Sequence, residues 1–415
     1  MNLPIIVLSI VFLLIAFRQV FHAKLRIWQI MSGGAGAVLL TGQISPSAAL
    51  RSIDLDVMWF LFGMFVVGHA LEKSGYLAHV SYKFFEKAKT TDQMVLFIIF
   101  GMGIASAFLM NDTLAIIGVP VVLLLARKHG VSPKLLLLTL AFAITTGSVA
   151  SPMGNPQNLL IALRGGIDNP FATFARFLLA PTLLCLLSAY FLLKFFYKEQ
   201  FHAVPLVHSQ EPVRDHQLAV LSRISLGLIV LLAAVKLGIA LLGLDIRFPL
   251  TYIAVLAALP VLIFSRKRLV ILKNLDWHTL IFFAAMFVLM QSVWDSGFFQ
   301  SRIAGETAGM ASIPAVLAVG ILLSQLISNV PLVALYLPLL DHSGDATGQL
   351  MALAAGSTIA GNLFILGAAS NVIIIQNAEK RSHETLTFLE FARVGVPLTA
   401  VDALVYWLWL AAVRP

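Results

Sequence analysis

Charge is what this chain has least of. Only 12% of its 415 residues are Asp, Glu, Lys or Arg, against roughly 25% in soluble domains. Hydrophobic residues make up 59% and mean hydropathy is +0.92. That balance excludes a soluble domain with a solvated surface and points to an integral membrane protein. Long polar stretches are missing too, the longest being Lys198 to His216. Cysteine is nearly absent: Cys185 is the only one, so no intramolecular disulfide can form. Nor is there a His-Glu-x-x-His motif, a nucleophile elbow or a phosphate loop. No enzyme, no cofactor and no nucleotide-driven pump is therefore expected. The net charge of +8 does not mark a nucleic-acid partner, because the basic residues lie between apolar runs, as membrane topology requires.

What is present is a series of apolar runs of about 17 to 25 residues, the length that spans a bilayer. They predict spans at 3–17, 25–42, 56–71, 134–163, 171–197, 220–243, 248–265, 277–295, 346–376 and 388–412. The first run lacks a basic flank and a small-residue cleavage site, so it reads as a span and not a signal peptide. Segments 93–127 and 311–340 are each interrupted midway by polar residues. Their arms, about 15 residues each, are short for a crossing, which predicts two re-entrant hairpins. Residues 76–89 and 298–309 read as amphipathic helices at the interface.

Two of the spans are broken. Ser151-Pro152-Met153-Gly154-Asn155-Pro156-Gln157-Asn158 sets two prolines, a glycine and amides inside 134–163. A helix cannot run through them with its hydrogen bonds intact. In lipid such a break is tolerated where the freed backbone lines a protein-enclosed cavity. The second break, Gly367-Ala368-Ala369-Ser370-Asn371, interrupts 346–376.

The chain also repeats itself. Met64-Phe65-Val66 and Ser74-Gly75 match Met286-Phe287-Val288 and Ser296-Gly297. Asn111 and Pro120 match Asn329 and Pro338, where the prolines read as kinks. Thr145, Gly154 and Asn158 match Thr358, Gly367 and Asn371, and Phe174-Ala175-Arg176 with Pro181 matches Phe391-Ala392-Arg393 with Pro397. The predicted fold is an all-α polytopic membrane protein with ten spans. One repeat covers 1–200 (hairpin 93–127, broken helix 134–163), and 201–216 is a cytoplasmic linker. The second repeat covers 217–415 (hairpin 311–340, broken helix 346–376). Five crossings per half is an odd number, so the second half is inverted. With both termini outside, 21 of the 28 Lys and Arg fall on the cytoplasmic side, as the positive-inside rule demands.

Four polar interruptions should then meet near the membrane midplane. The first tip offers Asn111, Asp112 and Thr113; the first break offers Ser151, Gly154, Asn155, Gln157 and Asn158. The second tip offers Ser328 and Asn329, and the second break Gly367, Ser370 and Asn371. A half-helix N-terminus attracts an anion through free N–H groups, and freed carbonyls suit a cation. Asn111, Asn155, Asn329 and Asn371 are candidate sodium ligands. Asp112, the one carboxylate in these motifs, could carry a proton, hold sodium or cap its helix. Lys236 and Asp402 are expected to pair, with snorkelling of Lys236 the alternative, and His69 and Glu72 to lie at the interface.

Through Asn111-Asp112-Thr113, SPMGNPQN at 151–158, Ser328-Asn329-Val330-Pro331 and GAASN at 367–371, the sequence resembles the ion transporter superfamily. That superfamily contains sodium-coupled dicarboxylate and citrate symporters, arsenite-efflux permeases, the melanosomal P protein and sodium/proton antiporters. The resemblance, closest to bacterial anion permeases, implies a homodimer in a prokaryotic inner membrane. It also implies a mobile domain that moves as an elevator on a fixed scaffold. Its symporters carry Ser-Asn-Thr at both tips, where this chain has Asn-Asp-Thr and Ser-Asn-Val. The function implied is secondary transport of a small anionic solute, coupled to sodium or protons. Arsenite efflux, sodium/proton antiport and, from another class, an ion channel are the alternatives.

Overall fold

The computed structural model describes residues 2–17, 27–76, 88, 90–201, 215–242, 248–298, 312–327, 329–340, 346–382 and 385–413. Most of the linker at 201–216 and of the two expected interfacial helices lies outside the described residues. Among the described residues the chain is helical and holds no strand.

The apolar runs become α1 (Leu3–Phe17), α2 (Ile27–Leu40) and α4 (Leu55–Ser74), with a short α3 (Pro46–Ser52) before the last. The first interrupted segment gives α5 (Thr91–Phe108) and α6 (Asn111–His129), and the first broken span α7 (Pro133–Ser148) and α8 (Pro156–Arg164). A continuous α9 (Pro170–Phe196) follows. It widens to a π turn at Ala175–Leu179, just ahead of Pro181, which has no N–H for a regular turn.

The second half runs α10 (His216–Leu241), α11 (Leu250–Phe264), a short α12 (Arg268–Lys273) and α13 (Trp277–Asp295). Then come α14 (Ile313–Ile327), α15 (Asn329–Leu340), α16 (Ala346–Leu363), α17 (Ala369–Ser382) and α18 (Phe388–Ala412). Pro120 and Pro338 lie inside α6 and α15.

Six described helices are long and apolar enough to cross a membrane alone: α4, α5, α9, α10 through Lys236, α13 and α18. α5 and α6 are 18 and 19 residues long, longer than the arms expected from sequence. The interruption falls at Leu109–Met110, and Asn111, Asp112 and Thr113 form the first turn of α6.

Helix packing falls into paired sets. α2 packs on α13 and α11 on α4; α5 packs on α7 and α14 on α16. α6 packs on α17 and α15 on α8, while α7 and α16 carry α9 and α18. Each pairing has a counterpart with the two halves exchanged. The effect is to bury α7 from Leu135 to Ser148 and to set α7 and α16 against each other at the centre.

The expected Lys236–Asp402 pair does not form. Lys236 Nζ donates to the Phe248 carbonyl at 2.6 Å, at the end of its own helix hairpin. A lysine stem can reach a helix end this way, whereas Asp402 is fully buried in α18. The charges that do pair lie near helix ends: Arg164 with Asp54, Lys134 with Glu390, Lys194 with Asp92 and Lys267 with Asp215.

Candidate functional site

The first break is short. After α7 ends at Ser148, residues 149–155 leave the helix, and α8 restarts at Pro156. Proline suits that first position because its missing N–H has no helical partner there. Asn155 caps α8, its Oδ1 accepting from the Asn158 N–H at 2.8 Å. Gln157 and Asn158 thus stand in the first turn of α8 and not in the gap itself. Gly154 is dictated by close approach: a Cβ there would lie 2.4 Å from the Ser148 carbonyl oxygen.

Asn158 closes the gap. Its Nδ2 donates to the carbonyls of Ser148 at 3.1 Å, Val149 at 3.3 Å and Ser151 at 3.1 Å. The Ser148 carbonyl is one that a helix end leaves without a partner, and the other two belong to the gap itself. Asn371 does the same in the second break: its Nδ2 donates to the Gly361 carbonyl at 2.7 Å, also ten residues back. Here α16 ends at Leu363, a 3-10 turn spans Ile365–Gly367, Ala368 is extended, and Ser370 and Asn371 open α17.

The first tip meets the first break directly, the Asn111 N–H donating to the Gly154 carbonyl at 3.0 Å. Asn111 Oδ1 accepts from the Asp112 N–H at 2.9 Å. Asp112 is half-buried and Thr113 is buried with its side chain against Gly68. Beside Thr113 a small cavity of about 80 Å³ is lined by His69, Glu72, Asn274 and Asp276. His69 and Glu72 pair at 3.4 Å.

Ser328 lies outside the described residues. Asn329, at the start of α15, is buried. The second tip's helix α14 reaches the second break through Gln325, whose Nε2 donates to the Ala360 carbonyl at 2.6 Å. A Cβ on Gly367 would lie 2.4 Å from that same carbonyl oxygen.

Thr358 of α16 joins the two halves. Its Oγ1 accepts from Asn155 Nδ2 at 3.2 Å and Gln157 Nε2 at 3.3 Å, and donates to Asn158 Oδ1 at 3.3 Å. Asn155 also donates to Ser148 Oγ at 3.0 Å, and Ser151 Oγ accepts from the Met153 N–H at 3.2 Å. Thr358 was matched to Thr145 by the repeat, and that match was the signal that could have put it among the site residues. Asn362 gave no such signal, although it bridges α7 and α18.

The two breaks differ in what they leave open. The amide oxygens of Asn111, Asn155 and Asn158 are all occupied by donors. Among the described residues, Asn329 Oδ1, Ser370 Oγ, Asn371 Oδ1 and Thr145 Oγ1 are buried with no partner. The orientation of Asn371 is fixed by its bond to Gly361, so its free atom is an acceptor. Buried polar atoms without partners are rare in folded proteins. Neutral amide and hydroxyl oxygens at a helix break are the donor set of a hard, weakly held cation.

A second cavity, about 300 Å³, lies between α8, α13 and α15 and is lined in part by Arg164, Phe287, Gln291 and Ala334. The Arg164 guanidinium is tied to Asp54 at 2.7 Å and covers the Phe287 ring.

Fold and site together define a multi-pass membrane transporter. The chain belongs to the citrate transporter family, CitMHS, whose profile matches residues 10–355. A protein of Mycobacterium tuberculosis named only as an uncharacterized transporter is 28% identical over 381 residues, covering 86% of each chain. The human P protein is 24% identical over 490 residues, covering 96% of this chain and 58% of that protein. Among solved structures, MtrF of Neisseria gonorrhoeae, described as illuminating a class of antimetabolite efflux pumps, superposes with a TM-score of 0.60. It is 14% identical, over 99% of this chain and 95% of that one. The Alcanivorax borkumensis YdaH transporter gives 0.58 at 15% identity, over 88% and 86%.

Proposed function

We propose that this protein is a secondary active transporter of a small anionic solute, coupled to a sodium or proton gradient by alternating access. The observation that carries the reading is the pair of buried helix breaks, each closed by an equivalent asparagine and cross-linked at Thr358. Such breaks at the membrane midplane are where transporters hold solute and ion. No Lys or Arg stands in the four motifs, so an anion would be held by the N–H groups that open α8 and α17. The unpartnered oxygens of Asn329, Ser370 and Asn371 favour a cation at the second break, while the first break satisfies itself.

The exchanged pairings of the two halves support an inverted repeat of ten spans with two re-entrant hairpins. In that arrangement α5–α8 and α14–α17 form the moving part of an elevator, and the remaining spans form the scaffold and homodimer contact in a prokaryotic inner membrane. A thermal-shift panel of carboxylate and oxyanion ligands, beginning with citrate, with and without sodium at two pH values, tests the reading. A ligand stabilises by mass action, so an anion shift that needs sodium or low pH is expected. Stabilisation by sodium alone, with no anion effective, would favour sodium/proton exchange.

A further inference from the structure

Asp402 lies outside all four motifs, in the middle of α18, and is fully buried. Asn362 touches it: Asn362 Nδ2 donates to Asp402 Oδ2 at 3.1 Å and to Thr146 Oγ1 at 2.9 Å. Both N–H bonds of that amide are then used. Asn362 Oδ1 and Asp402 Oδ1 have no nitrogen or oxygen partner among the described residues. The Cys185 thiol of α9 lies against the carboxyl, and a thiol is only a weak donor and weak acceptor.

The position matters as much as the partners. Thr146 is in the last turn of α7, which ends at Ser148, and Asn362 is in the last turn of α16, which ends at Leu363. Helix C-termini carry partial negative charge. α18 comes so close that a Cβ on Gly395 would lie 2.1 Å from the Asn362 carbonyl oxygen. An ionised carboxylate here would add a third negative charge to two helix ends.

No basic group among the described residues offsets it. α18 packs on α9, α14, α16 and the 3-10 turn Ile365–Gly367, which has no titratable side chain. The titratable groups facing Asp402 are Cys185 and, one turn on, Tyr406, whose hydroxyl is bonded to Thr182 at 2.7 Å. α14 and α16 carry no titratable side chain. Arg393 stands over Phe196, about 13 Å back along α18. Lys134 is paired with Glu390, and Lys194 with Asp92.

We propose that Asp402 is a proton-binding site, set where the two broken helices end and joined to both by Asn362. The proton resides on the carboxyl as a neutral acid, and its release places a charge beside the last turns of α7 and α16. That charge would strengthen any cation held at the breaks and weaken any anion. The inference uses neither the solute nor the coupling ion, so it stands or falls apart from the transport reading.

The test is infrared spectroscopy of the purified full chain in lipid nanodiscs, paired with melting curves from mildly acidic to alkaline buffer. Asp402→Asn mimics the protonated acid. The expected result is a carboxylic-acid carbonyl band at neutral pH that is lost in D402N and kept in D112N. D402N should also melt no lower than wild type at neutral pH and lose the wild-type fall in melting temperature that sets in as pH rises from mildly acidic buffer. A band unchanged in D402N, or absent from wild type, overturns the proposal. So does a D402N that melts lower at every pH with the same slope. Should D402N fail to fold, Asp402→Ser makes the same comparison; failure of both would show that the charge is needed and would equally overturn it.

Discussion

Asn155 at the first break and Ser370 at the second do different work, and that difference can be measured. Asn155 caps α8 and reaches Thr358, so Asn155→Ala should destabilise the protein by about 1–2 kcal/mol, the usual cost of a lost cap. Ser370 Oγ has no partner among the described residues, so Ser370→Ala should leave melting temperature in ligand-free buffer unchanged. It should instead weaken sodium-dependent stabilisation about tenfold in apparent affinity, on the order of 1.4 kcal/mol. Melting curves across a sodium titration read both effects, and unaltered sodium dependence in S370A would remove the cation from this break. Asp112 belongs to the same scale. If its carboxyl carries the coupling proton, Asp112→Asn abolishes pH-driven uptake and leaves solute binding intact. Uptake with the wild-type pH response in that variant would remove the coupling proton from Asp112.

Between elements, the contact that counts is α16 against the first break and α8, and Thr358 makes it. Thr358→Val keeps the shape and removes the hydroxyl, leaving Asn155 Nδ2, Gln157 Nε2 and Asn158 Oδ1 short of a partner. Leaving a buried polar group unpaired costs about 1–3 kcal/mol, so thermal unfolding should show a fall in stability of at least that size. A Thr358→Val protein as stable as wild type would mean the hub is not structural. This hub also marks where sequence reading reached its limit. Trp277–Asp295 and Phe388–Ala412 emerged with their predicted bounds, because uninterrupted apolar runs in lipid have one solution. The first break was legible from Pro152, Gly154 and Pro156, which resist helix locally. Where helices restart was not: Asn111 opens α6 because its N–H meets Gly154 across the fold, and local propensity does not encode that. Lys236 and Asp402 misled for the same reason, since charge type alone does not reveal which buried groups are neighbours.

For the molecule as a whole, the pairing of α2 with α13 and α11 with α4 exchanges the two halves, as the proposed inverted repeat requires. Such a repeat predicts sidedness. In a Cys185→Ala background, a single cysteine placed between residues 202 and 214 should react with a membrane-impermeant maleimide only from the cytoplasmic face. One placed at Asn2 should react only from the outside. The same side for both would contradict the odd number of crossings per half.

The central claim is that solute movement draws on an ion gradient through the two breaks. It is tested most directly by loading the purified protein into proteoliposomes and following a radiolabelled anion chosen from the thermal-shift panel, under an imposed sodium or proton gradient. The account predicts transient accumulation above the outside concentration, abolished by dissipating the gradient and strongly reduced in S370A. Flux that merely equilibrates the anion, at a rate indifferent to both gradients, would contradict it.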